Sequence, residues 1–124
     1  MESGDPAQIY SQFVRQVAAS RRAWLLTCCG DLVAVLGTAH EILFPLWSDL
    51  ESARRSAAAQ WPNLTPSEYP LSALLRLGLP ALVEQGIRVG VGPGPGSDGV
   101  VVSARRLQRD LRLRRRFGLT RRRT

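Results

Sequence analysis

The chain has 124 residues, of which 44% are hydrophobic, and a formal net charge of +7. That length fits one domain with its own core and no need of disulfides, and the hydrophobic share excludes a wholly disordered chain. No apolar run approaches the roughly 18 residues that read as a membrane span, and the start Met1-Glu2-Ser3-Gly4-Asp5-Pro6 lacks the positive, then apolar pattern of a secretory signal. The expected compartment is therefore the cytoplasm.

From the N-terminus onward, Asp5-Pro6 reads as an N-cap followed by proline at the first helical position. Ile9, Phe13 and Val17, with Tyr10 and Val14 beside them, make one apolar stripe on a helix to about Arg21. Residues 24–29 and 32–36 read as strands of a hairpin around Gly30-Asp31, and residues 42–45 as a third strand stopped or edged by Pro45. Ser48-Asp49-Leu50-Glu51 matches a capping box, with Ser48 as the cap and Glu51 reaching back. An alanine-rich helix follows and ends at Trp61-Pro62. Residues 63–70 read as an irregular connector. Leu71, Leu74, Leu75 and Leu77 mark a short helix that Gly78 breaks, and Leu79-Pro80 starts another that Gly86 closes. A hairpin at 87–91 and 100–102 spans a Gly/Pro-rich loop, and Ser103 caps a last helix in which Leu107 and Leu111 share a face. The fold class these elements predict is α+β: a small, mainly antiparallel sheet of about five strands with three to four helices packed on one face. The folded domain spans residues 1–113, and residues 114–124 form a basic tail that self-repulsion is expected to keep disordered.

Several stretches in this order resemble a small bacterial family. They are Trp24-Leu25-Leu26, Phe44-Pro45-Leu46-Trp47, Ala53, Trp61 and Leu71-Ser72-Ala73-Leu74-Leu75. Leu79-Pro80-Ala81-Leu82, Gly86-Ile87-Arg88-Val89-Gly90-Val91 and the ending Val102…Leu107…Leu111 complete the series. The family is the domain of unknown function numbered 2750, and the resemblance covers roughly residues 9–111. It implies a stand-alone α+β domain of the bacterial cytoplasm and brings no activity, substrate or catalytic residue.

No coherent catalytic set can be assembled from the residues themselves. Gly94-Pro95-Gly96-Ser97-Asp98-Gly99 spells G-x-G-x-x-G, but a dinucleotide fingerprint needs a helix next, and Val100-Val101-Val102 reads as a strand. Pro93 and Pro95 also remove two N–H donors, so the reading is a flexible hairpin loop. His40 is the only histidine, and with Cys28 and Cys29 it lacks the ligand spacing of a zinc site. Asp49 and Glu51 are explained by a helix N-terminus. Cys28 and Cys29 are expected to be reduced thiols on opposite faces of a strand, one buried and one partly exposed, with a redox switch as the alternative. No catalytic residue, cofactor or metal is assigned, and the chain is not expected to be an enzyme.

Two features point to binding. Trp24, Trp47 and Trp61 are either core anchors or, in part, the lining of a groove for a protein or small-ligand partner. The charge is also divided: residues 1–104 carry about −2, and residues 105–124 about +9. The candidates for nucleic-acid contact are Arg105, Arg106, Arg109, Arg112, Arg114, Arg115, Arg116, Arg121, Arg122 and Arg123. Lysine is absent throughout, so a GC-rich genome accounts for arginine runs equally well. The leading expectation is a non-catalytic binding or regulatory module for a protein or small ligand. The alternative is a nucleic-acid-associated accessory protein.

Overall fold

The structure, a computed structural model, describes the backbone of residues 5–122 and the side chains of residues 5–115. It has the α+β class that the sequence predicts. Helix α1 (Pro6–Ser20) starts where expected, with the Asp5 carboxylate accepting from Ala7 N at 3.4 Å. Tyr10, Phe13, Val14 and Val17 are its buried face, the i, i+3, i+4, i+7 stripe of an amphipathic helix. Arg21 ends it in the left-handed conformation, returning its N–H to the Val17 carbonyl.

Two small sheets follow, of three and four strands. Strand β1 (Arg22–Cys28) turns tightly into β2 (Asp31–Leu32). The single strand expected over 32–36 is split. Asp31–Leu32 pairs with β1, whereas β3 (Val35–Leu36) pairs with β4 (Ile42–Leu46) in the other sheet. Val33 and Ala34 carry the chain across. Strand β4 also runs through Pro45 instead of stopping there. Its contacts to β3 fall at Ile42 and Leu43, and the next residue to be bridged across, Trp47, meets Trp24 of β1. Pro45 lies between these contacts, where its missing N–H breaks no bond to either neighbour. The Trp24–Trp47 bridge, with N···O distances of 2.8 and 2.9 Å, joins the two sheets.

Helix α2 (Leu50–Gln60) ends at Trp61 as expected, but its cap is Asp49, which accepts from Ser52 N at 2.9 Å. The predicted connector is in part a strand, β5 (Thr65–Pro70), which pairs with β1 along its whole length. It is an edge strand of its sheet, the position that tolerates Pro66 and Pro70. Gly78 does not break the next helix. Helix α3 (Leu71–Ala73), a π-helical turn (Leu74–Gly78) and α4 (Leu79–Gln85) run on without interruption, and Leu79 N bonds to Leu74 O. The widened turn moves the carbonyl that the Pro80 ring would otherwise strike. Gly86, at φ +70, closes α4.

Strand β6 (Arg88–Val91) pairs in parallel with β4 and antiparallel with β7 (Val100–Val102). Helix α5 (Ala104–Arg122) is capped by Ser103, whose hydroxyl accepts from Arg106 N at 3.1 Å. Its helical backbone passes the boundary expected at residue 113; residues 123 and 124 of the proposed tail lie outside the described residues. The main core gathers Phe13, Val17, Leu25, Leu46, Leu74, Leu79, Val89, Leu107 and Leu111 between the helices and the sheets. A second, smaller core holds Leu26, Val35, Trp47, Ala53 and Ala57 under α2. Among the described residues, no helix is long and apolar enough to cross a membrane.

Candidate functional site

Strands β4 and β6 are the parallel pair of the four-stranded sheet, so their carboxyl ends, Leu46 and Val91, lie side by side. Beyond that edge the chain diverges, into α2 through Trp47-Ser48-Asp49 and into the loop Gly92–Gly99. A crevice beyond the carboxyl ends of parallel strands is where ligands bind in open α/β sheets. Here it is a groove of about 410 Å³ whose third wall is α1, through Ile9, Gln12, Phe13 and Gln16.

The loop wall is pinned. Gly92 N donates to Leu46 O at 2.8 Å, and Gly94 and Ser97 exchange backbone bonds. The buried Pro93 carbonyl accepts from Trp47 Nε1 at 3.0 Å and from Ser56 Oγ at 2.5 Å, while Gln60 Nε2 donates to the Gly94 carbonyl. At its far end the Asp98 carboxylate accepts from Thr38 N and from Thr38 Oγ1, each within 3.1 Å. A strand follows the loop, as the hairpin reading of the sequence expects, and hydrogen bonds to α2, Trp47 and Thr38 brace it.

Because Asp49 caps α2, the Ser48 hydroxyl is left to donate to Gln16 Oε1 at 2.6 Å, tying α1 to the start of α2. Asp49, Ser52, Arg55 and Ser56 complete the α2 side. The groove thus offers amides, hydroxyls, a guanidinium and the Asp49 carboxylate that caps α2, over an apolar base of Phe13, Trp47, Val91 and Pro93.

The three tryptophans do not share this groove. Trp47, 1% exposed, is its buried floor. Trp24 and Trp61 pack, half-buried, against the second core, where Trp61 meets Trp47 edge to face with ring centroids 6.4 Å apart. The residues that sequence reasoning missed are Gln12, Gln16, Ser48, Ser52, Arg55, Ser56 and Pro93. Their common signal, two loops leaving adjacent strand ends, exists only once β4 and β6 are known to pair.

The arginines divide by helix face. Ala104, Leu107 and Leu111 are buried, and Arg105, Arg109 and Arg112 are exposed at i, i+4 and i+7 on the far side. Arg106 lies over the Tyr10 ring at 4.7 Å and pairs with Asp110 at 3.6 Å. Arg109 also reaches Asp110, at 3.4 Å. The Tyr10 hydroxyl donates to Asp110 at 2.7 Å; burial, then that carboxylate, pushes the phenol well above its ordinary pKa. Arg114 lines a shallow groove between α1 and α5 with Arg15, and Arg115 is exposed. Arg116, Arg121 and Arg122 lie on the described helical backbone, and Arg123 is outside the described residues.

The thiol reading is also corrected. Cys28 and Cys29 are both exposed, and their sulfurs converge to 3.9 Å. His40 is exposed on the β3–β4 connection. Among the described residues, no three His, Cys, Asp or Glu side chains gather as a metal site.

The fold and its groove define a small α+β domain with a ligand-sized recess over a parallel strand pair. Residues 10–111 match the family described as Protein of unknown function (DUF2750), and the chain belongs to that family. No curated protein matches the chain. The family region includes every groove residue except Ile9, and it ends before Arg112.

Proposed function

We propose that this is a cytoplasmic, non-catalytic binding module whose ligand, a small molecule or an extended protein segment, occupies the groove between α1, α2 and the Gly92–Gly99 loop. The observation that carries this reading is the pinned loop over the carboxyl ends of β4 and β6. Preformed walls lower the ordering cost of binding, and the volume is that of a small-molecule site. The polar groups suit recognition more than bond-making. Ser48 donates to an amide and Ser56 to a backbone carbonyl, so neither is coupled to a base that would activate it. Two unpaired, exposed thiols fit a reducing compartment.

A thermal-shift screen of a metabolite and peptide library on the native protein tests the reading. Ligands that raise Tm are expected to lose their effect in Ser52→Phe, which fills the groove from α2. Equal stabilisation of native and variant protein would place their site elsewhere.

A second reading, binding of nucleic acid through α5, is favoured by the exposed row of Arg105, Arg109 and Arg112. Successive members stand about 6 and 4.5 Å apart along the helix axis, so all three can face one phosphate backbone. The apolar face of α5 is occupied by the core, which leaves the row to act by charge alone. The test is retention on duplex DNA across a salt series. Reversing all three arginines to glutamate is expected to weaken binding. It should also flatten the slope of log K on log salt by about 3, near 0.9 for each phosphate no longer neutralised. An unchanged slope would sink this reading.

A further inference from the structure

Cys28 ends β1 and Cys29 opens the turn into β2, and these are the two cysteines of the chain. Side chains of adjacent strand residues diverge. Here Cys29 and Gly30 take φ of +57° and +88°, with Cys28 paired to Asp31 across the turn. These are the two left-handed positions of a tight I′ hairpin, where asparagine and glycine are the favoured residues. A cysteine at the first of them leaves the strand alternation, and its sulfur comes to 3.9 Å from that of Cys28 with both side chains open to solvent.

That separation is close to the spacing of two sulfurs bound to one central atom: thiolates at about 2.3 Å from a tetrahedral zinc lie about 3.8 Å apart. No third His, Cys, Asp or Glu joins the pair among the described residues. An ion that needs four protein ligands is therefore poorly served, whereas an acceptor satisfied by two sulfurs is well served. Soft thiolates select soft acceptors.

We propose that the β1–β2 hairpin tip is a two-thiol chelating site for soft, thiophilic acceptors that two sulfurs satisfy, with trivalent organoarsenicals as the representative class. The reaction needs no oxidant. An aryl arsine oxide, Ar–As=O, and two thiols give Ar–As(SR)2 and water. Two As–S bonds form, the As–O double bond breaks, both thiol protons leave in the water, and arsenic stays trivalent. The site is independent of the groove and of the arginine row.

The full chain treated with equimolar phenylarsine oxide in excess glutathione, and read by intact mass, tests this. The expected product carries one aryl-arsenic group per chain, resists alkylation by iodoacetamide at both cysteines, and is reversed by dithiothreitol. Cys28→Ser and Cys29→Ser are each expected to hold the arsenical roughly 100- to 10,000-fold more weakly, the usual gain from a second attachment. Both side chains are exposed, so circular dichroism of the variants should match that of the native protein. Retention of the adduct by either variant in glutathione would overturn the proposal, as would alkylation of both cysteines in the treated native chain.

Discussion

The Pro93 carbonyl takes two donors, one from the Trp47 indole and one from the Ser56 hydroxyl, and all three residues are buried. Removing one donor leaves the other in place. Ser56→Ala is therefore expected to cost about 1 kcal/mol, read from the urea midpoint, and to leave the groove formed. Trp47→Ala removes a donor, the floor of the groove and part of the second core, and should cost about 3–5 kcal/mol. Similar costs for the two would contradict this division of roles. On α1, Tyr10 holds its phenol proton in the folded state well above the ordinary value because of burial and Asp110. Above about pH 10 the unfolded chain releases that proton first, so the folded state binds more protons and loses stability as pH rises. Below that range Tyr10 makes no pH-dependent contribution. Tyr10→Phe should flatten the fall in stability between about pH 10 and 11; an equally steep fall in the variant would rule out Tyr10 as its source.

The elements legible in the sequence are those with local signals. Asp5-Pro6, Ser103 and Gly86 mark helix ends through side chains or φ preferences that act within one turn, and α1 shows its apolar stripe in full. Strand β5 is hidden because Pro66 and Pro70 argue against a strand unless it is known to be an edge, and edge position is a tertiary fact. The same holds for β2 and β3, which one apolar run supplies to two sheets, and for the π-helical turn that lets the helix pass Gly78 and Pro80. Trp47 is legible as a candidate, but the rest of the groove is not, because it depends on the parallel pairing of β4 with β6 across some 40 residues of sequence. The β6–β7 loop also depends on Gly99. Its φ is +75°, and a Cβ there would run into the Val91 carbonyl. Gly99→Ala is expected to cost at least about 1–3 kcal/mol in denaturant melts and to loosen the loop wall. A native melt would show that the loop accommodates the side chain.

Across the domain as a whole, two surfaces separate. Apart from Ile9, the groove lies in the family region, with α1 on one side and the β6–β7 loop on the other. The arginine row starts inside it at Arg105 and continues beyond it at Arg112. The mildly acidic body and the strongly basic end are accordingly different objects, and charge reversal on α5 should leave groove ligands unaffected. Whether the recess above β4 and β6 is the binding site can be read from a fragment screen followed through backbone amide and indole N–H signals in two-dimensional NMR. Shifts are expected at Gly92, Gly94, Ser48, Ser52, Gln16 and the Trp47 indole. Shifts that spare these and gather instead at Leu32, Leu77 and Ile87, which line a separate apolar recess of about 350 Å³, would contradict that assignment.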